Sequence, residues 1–159
     1  MHERKTSRKG KEIDAWYSGK THDFGGLLQV LMAPYGVPLW TSEVLPGSVH
    51  DITATRDLVL ATLAPYLRHL PVLTDGRYDG AGQGVYTPVN RPKHGYELDS
   101  DTHTHNRLLR GLRCFGERGF ALLTQRWTTL QHVTLSPRRI GQIARAALVL
   151  THFEHRIIT

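Results

Sequence analysis

The chain has 159 residues, of which 40% are hydrophobic and 21% charged, so it can bury the core of one globular domain. Twenty Lys and Arg residues exceed fourteen Asp and Glu residues, which gives a net charge of +6. The single cysteine, Cys114, excludes an internal disulfide and a CxxC zinc site, and no apolar run is long enough to cross a membrane. The polar start predicts no signal peptide, and we expect a cytoplasmic protein.

The positive charge favours polyanionic partners, because each phosphate that a protein neutralises releases bound counterions. Arginine is concentrated in the last third of the chain, and its planar guanidinium group matches phosphate geometry. This density predicts nucleic-acid binding; the alternative is a basic domain without such a partner. The candidate DNA contacts are Arg110, Arg113, Arg118, Arg126, Arg138 and Arg139.

The first half of the chain predicts an arm followed by a hairpin and a helix. Residues 1–14 are basic and polar, so we expect an arm without a strand. The apolar run 27–32 and the alternating run 37–44 flank a Pro/Gly turn, which predicts a β-hairpin. Ser48 or Asp51 is the expected N-cap of a helix that runs to about residue 63.

The second half predicts two short strands and two helices. Residues 71–74 and 85–89 are short apolar runs typical of buried strands. From residue 102 to about 130 apolar residues recur at helical spacing, and Ser136-Pro137 begins a last helix. The order of strands and helices predicts a mixed α/β fold. The inward face of the long helix is expected to include Leu109, Leu112, Phe120 and Leu123.

Two carboxylates are candidates for catalysis. Asp75 ends a predicted strand and precedes a glycine-rich loop, at the edge where open α/β sheets bind ligands; the alternative is a turn-forming Asp-Gly pair. Glu117 lies at the rim of the apolar face of the long helix; the alternative is an i,i+4 ion pair with Arg113. The residues by themselves leave both alternatives open.

Four stretches, in order along the chain, resemble the catalytic domain of DDE-superfamily endonucleases and insertion-element transposases. They are 9–22 (KGKEIDAWYSGKTH), 46–51 (PGSVHD), 73–80 (LTDGRYDG) and 109–118 (LRGLRCFGER). In the third stretch, Gly76-Arg77 stands where Lys-Gly is usual in the family. The resemblance covers nearly the whole chain.

The resemblance implies a ribonuclease H-like fold, as in retroviral integrases, with a central mixed sheet flanked by helices. It also implies that Asp75 and Glu117 are catalytic ligands of Mg²⁺ or Mn²⁺ and that DNA is the substrate. Mg²⁺ prefers oxygen ligands, and two such ions about 3.5–4 Å apart can activate a nucleophile and stabilise the leaving oxygen.

The sequence departs from the family pattern at its start. The first catalytic aspartate of the family lies in a strand upstream of the stretch 9–22, and residues 1–14 contain no replacement for it. We therefore expect an N-terminally truncated transposase domain without its first strand. Residues 1–14 would be a basic arm and residues 15–159 a partial catalytic domain, impaired or inactive by itself.

The alternative function is a non-catalytic basic module that binds DNA or a full-length transposase. A homodimer is a further possible assembly. In either case no membrane is involved, and we expect a bacterial protein that associates with the nucleoid when it binds DNA.

Overall fold

The computed structural model describes residues 3–7, 10–92, 97–131 and 135–157; for residues 137 and 138 it describes the backbone alone. The strands are β1 (Arg4–Thr6), β2 (Glu12–Asp14), β3 (Tyr17–Ser18), β4 (Asp23–Phe24), β5 (Gly26–Leu27), β6 (Val30–Met32), β7 (Pro38–Thr41), β8 (Leu45–Pro46), β9 (Val72–Leu73) and β10 (Val85–Tyr86). The helices are α1 (Asp51–Ala54), α2 (Ala61–Leu63), α3 (Ser100–Arg126) and α4 (Pro137–Glu154). A π-helical segment, Thr55–Leu60, joins α1 to α2, and 3₁₀ turns occupy Gly76–Tyr78 and Thr128–Leu130.

This element order confirms the mixed α/β class. The described strands pair two by two: β1–β2, β3–β4, β5–β8 and β6–β7 are antiparallel, and β9–β10 is parallel. Strands of two to four residues offer few backbone groups to a second neighbour. Among the described residues, the pairs therefore do not join into the continuous mixed sheet that the resemblance implies, and the ribonuclease H-like arrangement stays a prediction.

The expectation that residues 1–14 contain no strand is wrong. β1 and β2 pair with Lys5 opposite Ile13, and the Ser7 backbone N–H donates to the Lys11 carbonyl at 2.8 Å in the turn between them. All three residues of β1 are exposed. Backbone hydrogen bonds form this hairpin without an apolar face, so no alternation in the sequence marked it.

The hairpin predicted between residues 27 and 44 is confirmed, with β6 and β7 as its strands and Leu31 opposite Trp40. Its turn needs a glycine at position 36. Gly36 has a φ of +86°, and a Cβ there would lie 2.9 Å from the carbonyl oxygen of Phe115 on α3. The turn therefore fixes both the hairpin and its distance from the long helix.

The two long helices pack on this hairpin. A Cβ on Gly119 of α3 would lie 2.5 Å from the Met32 sulfur, so the helix backbone approaches β6 closely. The Trp127 indole N–H donates to the Thr151 hydroxyl of α4 at 3.0 Å, and the ring Nε2 of His152 lies 2.7 Å from the Pro38 carbonyl oxygen. The buried apolar residues of the helices are Leu109, Leu123, Ala144 and Ala147.

The inward face of α3 is narrower than predicted. Leu109 and Leu123 are buried as expected, but Leu112 is 42% exposed and Phe120 is 47% exposed. The hairpin β6–β7 covers only a stripe of the helix, and Gly119 lies on that stripe. The predicted helix from residue 51 to 63 is confirmed as α1, the π-helical segment and α2.

Candidate functional site

Asp75 stands two residues beyond the end of β9 and is the N-cap of the 3₁₀ turn Gly76–Tyr78. Its Oδ1 accepts the backbone N–H of Arg77 at 2.9 Å. The turn-forming role that the sequence left open is therefore observed. It uses one carboxylate oxygen, and the side chain stays partly exposed at the end of the strand.

Tyr78 connects this turn to the centre of the molecule. Its hydroxyl donates to the side-chain oxygen of buried Gln29 at 3.3 Å, and the Thr55 hydroxyl lies 3.3 Å from the same oxygen. Burial raises the pKa of the Tyr78 phenol, and the negative charges of Asp51 and Asp75 raise it further. Both carboxylates thus lie close enough to the phenol for their charges to act on it.

Glu117 has a different environment. Its Oε1 lies 3.0 Å from Nε of Arg113, one helical turn earlier, and its side chain is 66% exposed. The i,i+4 ion pair that the sequence offered as the alternative is therefore present. Around Glu117, α3 contacts the turn and first strand of the β6–β7 hairpin through Phe115 and Gly119.

The described carboxylates do not fit a metal centre in this arrangement. Mg²⁺ requires several oxygen ligands at about 2.1 Å. No group of three or more His, Cys, Asp or Glu side chains in the described part of the chain is placed to hold a metal ion. Asp75 bonds within its own turn and Glu117 pairs with Arg113. The assignment of Asp75 and Glu117 as metal ligands stays a prediction.

Asp51 is not the helix cap that the sequence predicted. It is the first residue of α1, and the N-cap is His50, which makes no side-chain hydrogen bond. Ser48 does not cap the helix either. Instead the Asp51 Oδ2 accepts from Nζ of Lys20 at 2.8 Å, because the loop after β3 folds against the start of α1. The Asp51 carboxylate therefore forms an ion pair with Lys20 and does not cap the backbone N–H groups at the start of α1.

Lys20 and Asp51 lie on the wall of a cleft with a volume of about 340 Å³. The cleft is lined by residues 18–21, 25–27 and 47–51. Two of the four stretches that carry the family resemblance, 9–22 and 46–51, thus converge on one site. Sequence reasoning assigned no role to Lys20; the signal that could have identified it was its place in the first of these stretches.

The candidate arginines fall into two groups. Arg113 is paired with Glu117, and Arg126 is paired with Glu154 at 2.6 Å while its guanidinium lies 5.0 Å from the centre of the Trp127 ring. The others whose side chains are described are exposed and make no ion pair within the described part of the chain: Arg110, Arg118 and Arg139. The side chain of Arg138 lies outside the described residues.

A model of the DDE superfamily endonuclease family matches residues 2–152. The chain belongs to this family. The match includes the β1–β2 hairpin, the cleft, Asp75, Glu117 and most of α4, and it confirms the resemblance that the four stretches indicated. No curated protein and no solved structure matches the chain.

Membership of the family indicates a transposase-like nuclease whose substrate is DNA, and the family generally uses divalent metal ions. In the part of the chain that the structure describes, no helix combines the length and the apolar character that crossing a bilayer requires.

Proposed function

We propose that this chain is part of a DDE transposase catalytic domain that binds DNA and, by itself, has little or no cleavage activity. The observation that supports the family function is the match over residues 2–152, which contains both Asp75 and Glu117. In this proposal the intact family site cleaves and transfers DNA strands, and Asp75 and Glu117 correspond to two of its carboxylates.

The ion that these carboxylates would hold is Mg²⁺ or Mn²⁺, which would act as a Lewis acid on phosphate oxygens. Their present contacts do not suit that task, since Asp75 closes its own turn and Glu117 pairs with Arg113. We propose low activity because Asp75 and Glu117 are engaged in these contacts and, among the described side chains, no third ligand is placed with them. We propose no catalytic step for the chain alone.

DNA binding rests on the exposed arginines of the two long helices. Arg110, Arg118 and Arg139 are exposed and unpaired within the described residues, so they can contact backbone phosphates without breaking an ion pair. Arg113 and Arg126 would first have to leave Glu117 and Glu154. We therefore assign the larger share of phosphate contact to the unpaired arginines.

A second candidate function is DNA binding without catalysis, with a full-length transposase or a second copy of the chain as partner. The observation that favours it is the lack, among the described side chains, of three potential metal ligands placed together. It shares the DNA substrate with the first proposal and differs in the role of Asp75 and Glu117.

Nicking of supercoiled plasmid in Mg²⁺ or Mn²⁺ tests the low activity that both candidates predict for the chain by itself. We expect the wild type, Asp75→Ala and Glu117→Ala to give the same background, which is the result for a chain that is inactive by itself. Robust nicking that either substitution abolishes would overturn the proposed inactivity. Loss of that nicking in both variants would support a catalytic role for both carboxylates and would reject the second candidate. Salt-dependent binding of a fluorescent DNA duplex by the same samples tests the shared DNA-binding function.

A further inference from the structure

We propose that the cleft lined by residues 18–21, 25–27 and 47–51 binds one phosphodiester group of a nucleic-acid backbone, with Lys20 as its cationic contact. The proposal rests on the proposed function, because it names the part of the DNA substrate that this site would take. It adds a DNA contact outside the two long helices to those of the arginines on α3 and α4.

The first argument is the position of the Lys20 ammonium group. Asp51 holds it at 2.8 Å, and the exposed fractions of the two side chains are 54% for Lys20 and 17% for Asp51. The carboxylate is therefore the more buried partner, and the ammonium group faces solvent. An ammonium group has three N–H donors, of which Asp51 takes one. Two remain for the oxygens of a ligand, on a side chain whose conformation is already fixed.

The same ion pair selects the charge of the ligand. Asp51 offsets the charge of Lys20, so the pair is close to neutral as a unit. The Asp51 carboxylate repels a dianionic phosphate monoester more than it repels a phosphodiester, which carries one negative charge, and the paired Lys20 does not offset a second charge. The chemistry thus favours an internal backbone phosphate over a terminal phosphate or free phosphate.

Glycine residues shape the cleft so that a backbone phosphate can approach closely. A Cβ on Gly19 or Gly25 would meet no atom within 4 Å, so both residues border open space. A Cβ on Gly47 would lie 2.5 Å from the Gly25 carbonyl oxygen, which shows that two chain segments meet tightly at this point. Glycines here leave the main chain accessible to a ligand without obstruction by side chains.

Ser48 supplies an unsatisfied polar group in the same wall. Its hydroxyl oxygen is buried and has no hydrogen-bond partner within the described part of the chain, although the residue lines the cleft. Buried hydroxyl groups normally have a partner. A phosphate oxygen in the cleft would provide one after rotation of the Ser48 side chain, since the hydroxyl oxygen is not accessible in its present position.

The size and position of the cleft fit this ligand. A volume of about 340 Å³ is at the lower end of ligand pockets, which suits one nucleotide unit and not a duplex. The Asp51 carbonyl oxygen lies 3.1 Å from the Thr55 hydroxyl, which shares Gln29 with Tyr78. Through these contacts the cleft adjoins the turn that begins at Asp75.

The test uses the 159-residue chain and two variants, one that removes the ion pair and one that removes a charge elsewhere. Lys20→Gln/Asp51→Asn removes the ion pair and leaves the net charge at +6, so it does not strand a carboxylate. Arg68→Gln removes one exposed charge outside the cleft and outside the nominated arginines. We expect the double variant to bind duplex DNA several-fold more weakly at low salt, with little change in the salt slope, because the ion pair that it removes is close to neutral as a unit. Arg68→Gln should keep the wild-type affinity at low salt. The reverse order would mean that net charge, and not the cleft, controls binding.

Amide NMR spectra locate the contact and check that each variant is folded. The probe is d(TpT), which carries a single phosphodiester, and inorganic phosphate is the comparison. We expect d(TpT) to shift the amide signals of Gly19, Gly25 and Gly47 in the wild type and not in the double variant. Ser48→Ala should weaken these shifts.

Three outcomes overturn the proposal in different ways. Shifts confined to α3 and α4 would reject the cleft and keep DNA binding by the helices. Equal or stronger shifts of the cleft glycines with inorganic phosphate would reject the phosphodiester assignment. Failure of the wild type to bind any DNA at low salt would reject the proposed function itself, and the cleft would then have no nucleic-acid ligand.

Discussion

The strand region, residues 10–92, and the helical region, residues 97–131 with 135–157, position their polar groups in different ways. In the strand region Asp51 is only 17% exposed where it holds Lys20, and Tyr78 and Thr55 share the buried Gln29. In the helical region the ion pairs lie on the surface, with Glu117 66% exposed. The fold therefore positions polar groups in the first region. In the second, the ion-paired side chains are exposed to solvent.

The largest expected effect concerns packing in the helical region. Leu123 is 1% exposed at the contact between α3 and its neighbours, so Leu123→Ala should lower the free energy of unfolding by about 2–5 kcal/mol through lost burial and a cavity. Leu108→Ala is the control, because Leu108 lies on the same helix and is 65% exposed. Urea denaturation followed by circular dichroism measures both. Similar losses for the two variants would mean that α3 buries a different face.

The next effect concerns the turn at which the two regions meet. Gly36→Ala places a side chain at a φ of +86° and 2.9 Å from the Phe115 carbonyl oxygen, so we expect a loss of about 1–3 kcal/mol. Gly10 has a φ of +73° and no atom within 4 Å of an added Cβ. Gly10→Ala should therefore cost only the backbone strain, and the difference between the variants measures the contact with α3. Equal thermal shifts would show that this contact is loose.

Local patterns were sufficient to predict much of the fold, because they depend on neighbouring residues. The hairpin β6–β7 follows from two apolar runs around a turn, and Pro137 near the start of α4 marks the last helix. The β1–β2 hairpin was missed because most of its residues are polar and exposed, so the pairing left no apolar alternation in the sequence. The exposure of Leu112 depends on how wide a stripe the hairpin covers, which helical spacing does not encode.

The candidate site was less predictable than the fold. Asp75 and Glu117 could be nominated from their motifs, whereas their contacts with Arg77 and Arg113 were known only as alternatives. The Lys20–Asp51 pair joins residues 31 positions apart. No local rule brings such residues together, since their contact depends on the path of β3 to β8. The cleft therefore became visible only in three dimensions.

A pH titration sharpens the comparison in the strand region. Burial and two nearby carboxylates raise the pKa of Tyr78, so the folded state retains the phenolic proton above the usual pKa of about 10. The contribution of the protonated Tyr78 phenol to the free energy of unfolding is complete below pH 10, and it is lost as the pH rises through the folded-state pKa. Tyr78→Phe should lower the free energy of unfolding by about 0.5–1.5 kcal/mol at neutral pH, since the bond to Gln29 is removed. Above pH 10 the free energy of unfolding of this variant should fall less steeply with rising pH than that of the wild type, because no phenol at position 78 can ionise. Parallel losses at high pH would contradict this.

The smallest effects test the comparison directly, because two substitutions make the same chemical change in the two regions. Asp51→Asn and Glu117→Gln each replace a paired carboxylate with an amide, at 17% and 66% exposure. We expect Asp51→Asn to lower the free energy of unfolding by about 1 kcal/mol, since a partly buried charge-assisted bond is lost. Glu117→Gln should change it by about 0.3 kcal/mol, as for other exposed i,i+4 pairs, and high salt should remove that change. Urea denaturation at two salt concentrations measures both values. If Glu117→Gln lowered the free energy of unfolding more than Asp51→Asn, the Glu117 carboxylate would stabilise the fold. An exposed pair with Arg113 does not account for such an effect.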